Sequence, residues 1–183
     1  VVFLVEPAGP LNIGSVARLC ANFGVDQLRL VNPRCDPKGN DSLRMAVHAV
    51  ARLETAVHYS TLESAVADCS RVVATCGRLD HGSIPLQTPD QALNWLIAGD
   101  GTVAVVFGRE DRGLTNEELR ICHRVLTLHS GDSYPSLNLS HAVAIVLHDM
   151  ARLDHTTPPD AQCSPDPASA PQLSGLIKDA ADL

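Results

Sequence analysis

Aromatic side chains are scarce: three Phe, two Tyr and one Trp in 183 residues. Proteins that grip unpaired bases by stacking need more such rings, so a stacking platform is disfavoured. Cysteine pairs at metal-binding spacing are also lacking. Cys20, Cys35, Cys69, Cys76, Cys122 and Cys163 are scattered without a CxxC, which argues against a zinc site and against a secreted disulfide scaffold. They read as reduced thiols in a cytoplasmic protein. Eight histidines show no HExxH or comparable spacing, so no metal is implied. No apolar run has the length of a membrane crossing and no secretory leader is visible, so no membrane partner is expected. GxGxxG after the first strand, GxxxxGK[ST] and GxSxG are all missing, which disfavours ordinary dinucleotide binding, P-loop chemistry and the hydrolase nucleophile elbow. A basic excess is missing as well. The net charge of −7 weighs against a nucleic-acid binder held by bulk attraction. A local basic patch remains open, from Arg18, Arg29, Arg34, Lys38, Arg44, Arg78, Arg109 and Arg112.

What is present is organised around Val103–Leu119, VAVVFGREDRGLTNEEL. Val103 to Phe107 is an unbroken apolar run, as in a strand buried on both faces of a parallel sheet. Gly108 ends it, four charged residues follow, and Gly113 permits a second backbone turn. Thr115 with Glu118 three residues on reads as a capping box opening a helix. Charged residues at the carboxyl end of such a strand are where open α/β folds hold ligands, although a solvated loop with surface ion pairs has the same spacing.

Elsewhere, strands are predicted at Val1–Val5, Gln27–Val31, Val57–Tyr59, Arg71–Thr75 and Arg124–Leu128. Helices are predicted at about Asn12–Phe23, Asp41–Leu53, Thr61–Cys69, Thr88–Ala98 and Ser136–Leu153. Ile13, Val16, Ala17, Cys20 and Phe23 give the first helix its core stripe, and Arg18 lies off it, free to face a ligand. The last helix is apolar over most of its circumference, as expected of one buried in its domain or against a second subunit. Alternating strands and helices imply an α/β domain with a mostly parallel sheet flanked by helices. The domain is expected to span residues 1–155. Residues 156–183, rich in proline at the start, read as a linker and the beginning of a truncated C-terminal extension.

Arg71–Arg78, Val103–Gly113 and Val125–Asn138 share one grammar of apolar strand, small residues and polar turn. If the three strands are neighbours, their carboxyl ends converge on one crevice able to grip a purine edge and a small polar ligand.

Three segments then become specific together. Asn12-Ile13-Gly14-Ser15-Val16-Ala17-Arg18 resembles NxGxxAR, the first motif of the SpoU/TrmH family of RNA 2′-O-ribose methyltransferases. Val106-Phe107-Gly108-Arg109-Glu110 with Gly113-Leu114 resembles the second motif, and Ser136-Leu137-Asn138-Leu139-Ser140-His141-Ala142 the third. Within the family, Val31-Asn32-Pro33-Arg34 and the Pro-rich tail look most like the TrmJ group, which methylates the ribose at position 32 of the tRNA anticodon loop. The resemblance implies a SPOUT fold, with a deep C-terminal trefoil knot that binds S-adenosyl-L-methionine, and a homodimer acting on tRNA.

Carried over by position, the resemblance implies cofactor binding mainly by backbone at Thr75, Cys76, Gly77, Gly108, Leu128, Pro135, Ser136 and Leu137. It implies catalytic roles for Arg18, Asn12, Glu110, Ser136 and Asn138. Arginine is effectively always charged, so Arg18 is expected to stabilise a developing alkoxide or to orient a phosphate that takes the proton. A plain surface arginine is the alternative. Asn12 either caps its helix or positions Arg18 and the ribose. Glu110 holds the loops or Arg18, or is a surface charge. Ser136 and Asn138 fasten the knot loop, with Asn138 as a structural hydrogen-bonder the alternative. Arg34, Arg78, Arg109 and Arg112 are candidates for a salt-sensitive RNA surface. The competing readings are a methyltransferase for ribosomal RNA or another tRNA position, a non-catalytic RNA-binding SPOUT protein, and a small-molecule α/β enzyme.

Overall fold

Among the described residues, seven strands run parallel in one sheet: β1 (Val2–Val5), β2 (Leu28–Val31), β3 (Val57–Tyr59), β4 (Arg71–Thr75), β5 (Leu86–Gln87), β6 (Val103–Phe107) and β7 (Arg124–Leu126). Their spatial order is β3-β2-β1-β6-β4-β7-β5. The computed structural model describes residues 1–77, 81–131 and 136–154. Arg78, Pro135 and the expected linker and extension at 156–183 lie outside them.

Alternate residues of each strand feed two cores, as the period of a strand requires. Val2, Leu4, Val105 and Phe107 join one cluster with helices α1 (Pro10–Asn22), α2 (Asn40–Ala46), α3 (Val50–Glu54), α5 (Pro89–Ile97) and α7 (Leu139–Asp154). Phe3, Val5, Ala104 and Val106 join the other with α4 (Leu62–Val66) and α6 (Asn116–Ile121). Helices on both faces explain why the central strands read as unbroken apolar runs. The result is an α/β fold with a parallel sheet flanked by helices.

Local rules account for most boundaries. α6 opens on the expected capping box, Thr115 accepting from the Glu118 amide at 3.2 Å and Glu118 from the Thr115 amide at 2.7 Å. α5 opens on another, built from Thr88 and Gln91. α1 starts at Pro10, earlier than predicted, because proline suits the first helical position.

Three expectations need correction. The helix predicted over Asp41–Leu53 is broken: α2 ends at Ala46, the next residue, Val47, has φ +54°, and a 3₁₀ turn at Val47–Ala49 leads into α3. No glycine or proline marks that break. The last strand stops at Leu126 rather than Leu128, and the two-residue β5 beside it has too short a pattern to read. The last helix starts at Leu139 rather than Ser136. Asn138 caps it, its Oδ1 accepting from the Ser140 amide at 2.9 Å and the His141 amide at 3.4 Å.

Gly14 serves this packing. A Cβ there would stand 2.3 Å from the Ser42 carbonyl oxygen, so α1 rests directly on the backbone of α2. Ser42, itself buried, donates to the Pro10 carbonyl at 3.0 Å and fixes the same contact.

Candidate functional site

β6, β4 and β7 are neighbours, so the loops leaving their carboxyl ends meet. They line a cleft of about 260 Å³. Thr75, Cys76 and Gly77 enter from β4, Gly108 to Gly113 from β6, and Leu128 from beyond β7. Ser136, Leu137, Leu139 and Ala142 close it from the start of α7. Of the residues expected to hold a cofactor, all but Pro135, which lies outside the described residues, are in this lining.

The loop after β6 folds back on itself. Arg109 and Gly113 exchange backbone hydrogen bonds, N–H to O=C, at 3.3 and 3.0 Å. Gly113 has φ +66°, and a Cβ at Gly108 would fall 2.3 Å from the Gly113 carbonyl carbon. Both glycines are required by this turn.

Glu110 is fixed by the loop after β1. Its carboxylate accepts from the Ala8 amide at 3.1 Å, the Gly9 amide at 3.0 Å and the Asn12 side chain at 3.1 Å. Burial pushes its pKa up, but these donors outweigh burial and hold the carboxyl below its ordinary range. Asn12 in turn accepts from the Asn138 side-chain amide at 3.1 Å. One chain of hydrogen bonds thus joins Glu110, Asn12 and Asn138, which lie far apart in sequence. Gly9 leaves room for it, since a Cβ there would be 3.0 Å from the Asn12 amide nitrogen.

Arg109 departs from expectation. It is not part of an open RNA surface: only 8% of it is exposed. Its guanidinium makes a two-pronged pair with Glu118 at 2.8 and 2.9 Å and also donates to Glu6. Sequence reasoning missed Glu6, which lies just past the predicted first strand. Arg109 and then Arg34 draw the Glu6 carboxyl down to about 2. Arg109 Nε, buried, has no partner among the described residues.

Residues 1–148 match the family described as SpoU rRNA Methylase. The chain belongs to that family.

Named proteins similar to the chain include two tRNA methyltransferases. The tRNA (cytidine-2′-O-)-methyltransferase TrmJ of Methanocaldococcus jannaschii is 37% identical over 153 residues, covering 81% of this chain and 66% of the relative. The tRNA (cytidine/uridine/adenosine-2′-O-)-methyltransferase TrmJ of Pseudomonas aeruginosa is 38% identical over 152 residues, covering 81% and 59%. The chain therefore spans less than two thirds of the length of these relatives. The crystal structure of TrmJ from Z. mobilis ZM4 superposes with a TM-score of 0.79 at 32% identity, covering 100% of this chain and 78% of that one.

Among the SpoU motif residues, the structure brings together Asn12, Glu110, Ser136 and Asn138. It does not bring Arg18 to them. Arg18 is exposed on α1, outside the cleft lining, with no hydrogen bond or ion pair among the described residues. Glu110 holds Asn12 and the β1–α1 loop, and Arg18 is not among its partners. Among the described residues there is no helix long and apolar enough to cross a membrane and no cluster able to hold a metal ion.

Proposed function

We infer that the chain is an S-adenosyl-L-methionine-dependent tRNA 2′-O-ribose methyltransferase acting at position 32, a cytidine or uridine. The observation that carries the reading is the single cleft in which segments of the second and third SpoU motifs line the wall while Asn12 of the first is bonded to both. The two TrmJ relatives, named as tRNA 2′-O-methyltransferases, support the tRNA ribose as the substrate. The family's description names rRNA, which keeps ribosomal RNA as the second substrate.

The residues present fit the cofactor. Leu128, Leu137, Leu139 and Ala142 offer an apolar wall for a purine, and Gly77 and Gly108 keep side chains out of the way. When bound, S-adenosyl-L-methionine supplies an electrophilic methyl group. Thr75, Cys76, Gly77, Gly108, Leu128, Pro135, Ser136 and Leu137 are the proposed holders, and the family's deep trefoil knot is the proposed arrangement of the loops that carry them. Glu110, Asn12 and Asn138 hold the rim in register, so the ribose meets a fixed surface. Ser136, on the cleft wall, orients the approaching hydroxyl.

Arg18 needs a second copy of the chain. Asn12 points toward Glu110 and Asn138, and six residues further on at 3.6 per turn a side chain leaves the helix roughly 120° away. A homodimer delivers Arg18 to the partner's cleft, where its charge stabilises the developing alkoxide or orients the proton-accepting phosphate. Exposed Leu11, Met45, Val47 and Ile145, on packed neighbours α1, α2 and α7 and the turn after α2, support such an interface.

The test is methyl transfer from radiolabelled S-adenosyl-L-methionine to unmodified tRNA transcripts, with ribose methylation mapped. Label at position 32, lost in Arg18→Ala while cofactor binding persists, is the expected result. Absence of cofactor binding by the wild-type chain overturns the reading.

A further inference from the structure

Beside the cleft, two exposed arginines from different loops converge on one carboxylate oxygen. Arg34, in the loop after β2, donates through Nε at 2.8 Å and through Nη2 to Glu6 Oε2. Arg112, in the turn after β6, brings its Nη2 to 3.6 Å from the same oxygen. The other oxygen of Glu6 goes to buried Arg109. Three guanidiniums therefore face two carboxylates, Glu6 and Glu118, and one unit of positive charge is left over. It resides on the outer pair, whose side chains are 40% and 55% exposed.

A surface ion pair alone does not account for this arrangement. Such pairs contribute little to stability, and a second arginine on an already paired carboxylate adds repulsion between like charges. The backbone of both arginines is nevertheless held. The Arg34 amide donates to the Pro7 carbonyl at 2.9 Å, and Arg112 rides on the turn closed by Arg109 and Gly113. Glu6 itself is held with φ +45°, a left-handed backbone costly for a side chain of its kind. Each guanidinium keeps N–H donors beyond those turned to Glu6. Two planar forks turned toward one point match the oxygens of a phosphate group, which arginine recognises in pairs of hydrogen bonds. Arg112 also lines the cleft, so an anion held here sits at its rim.

We propose that Arg34 and Arg112, oriented by Glu6, form a subsite for one phosphodiester group of the RNA strand next to the methylated ribose. The inference rests on the methyltransferase reading for its choice of RNA. It explains how an acidic chain engages a polyanion: one local charge is placed beside the cleft in place of a broad positive face.

The experiment measures binding of the full chain to unmodified tRNA across a salt series, for wild type, Arg34→Gln, Arg112→Gln and the double variant. Each single change is expected to weaken binding about tenfold and to lower the slope of log affinity against log salt by up to about 0.9, the value for one phosphate. The double variant is expected to fall well short of the product of the singles, because both arginines hold the same group. Arg34→Lys restores the slope but only part of the affinity. Cofactor affinity of Arg34→Gln stays at the wild-type value, since Arg34 is outside the cleft lining. Wild-type affinity and slope in the double variant overturn the subsite and leave the methyltransferase reading standing, as do strictly additive losses. A wild-type chain that binds no tRNA also overturns it. Coupled losses in a chain that transfers no methyl group support the subsite and overturn the reading of the activity.

Discussion

Arginines cluster at both ends of this sheet and are handled in opposite ways. At the amino ends of β4 and β7, Arg71 and Arg124 stand 4.8 and 4.4 Å from the ring centre of Trp95, one ring serving two cations. Arg71 also donates to the Trp95 carbonyl, and the His123 ring lies 5.9 Å away. No ion pair enters this cluster among the described residues. At the carboxyl ends, Arg34, Arg109 and Arg112 are gathered by carboxylates, and two remain open to solvent. An aromatic face binds a guanidinium from one side without fixing its donors. A carboxylate fixes direction as well. One end is built for cohesion, and the other aims its charges.

Trp95→Ala should have the largest effect, because it removes the shared platform of the amino end. A loss of about 3 kcal/mol in a denaturant titration is expected for a partly buried tryptophan, with cofactor affinity unchanged. Loss of cofactor binding by the folded variant would break the division between the two ends. Gly108→Ala tests the other end. Its Cβ meets backbone at 2.3 Å, so the turn must shift, at about 2 kcal/mol in stability and with cofactor binding lost in calorimetry. A variant that binds cofactor normally would show that the turn adapts.

Acid gives the smallest effect and the sharpest contrast. The carboxyl of Glu6 lies at about 2 against an ordinary 4.5, so its protonated form is disfavoured in the folded chain. Its contribution is therefore present above pH 4.5 and lost as the pH falls from there toward 2. Thermal midpoints should decline over that window, and less steeply in Glu6→Gln. The Trp95 cluster has no carboxylate to titrate and should not contribute to the slope.

The difference between the ends also marks what was legible in the sequence. Thr115 and Glu118 declared a helix start because both halves of a capping box lie within four residues. Val103 to Phe107 declared a central strand because burial on both faces leaves an unbroken apolar run. The three cleft loops were legible from their shared grammar of apolar strand, small residues and polar turn, and the adjacency of β6, β4 and β7 is what gathers them in the structure. Arg109 misled, since its run with Glu110, Asp111 and Arg112 has the composition of a solvated loop. Its decisive partner, Glu6, is 103 residues distant, beyond any local pattern. The break at Val47 carries no glycine or proline to announce it. The cap at Asn138 was readable from residue type, but the continuous apolar spacing beyond it drew the predicted start too early.

The hydrogen-bonded chain through Asn12 has a consequence for how the protein is made. Asn12 is translated before its partners Glu110 and Asn138, which follow 98 and 126 residues later. On a ribosome the loop after β1 must wait, its donors and acceptors bound to water, until nearly the whole domain has emerged. Contacts of such long sequence separation form late and slowly. The cleft thus takes shape only after Asn138 has been made, and a ligand there stabilises the folded domain and not a shorter nascent segment.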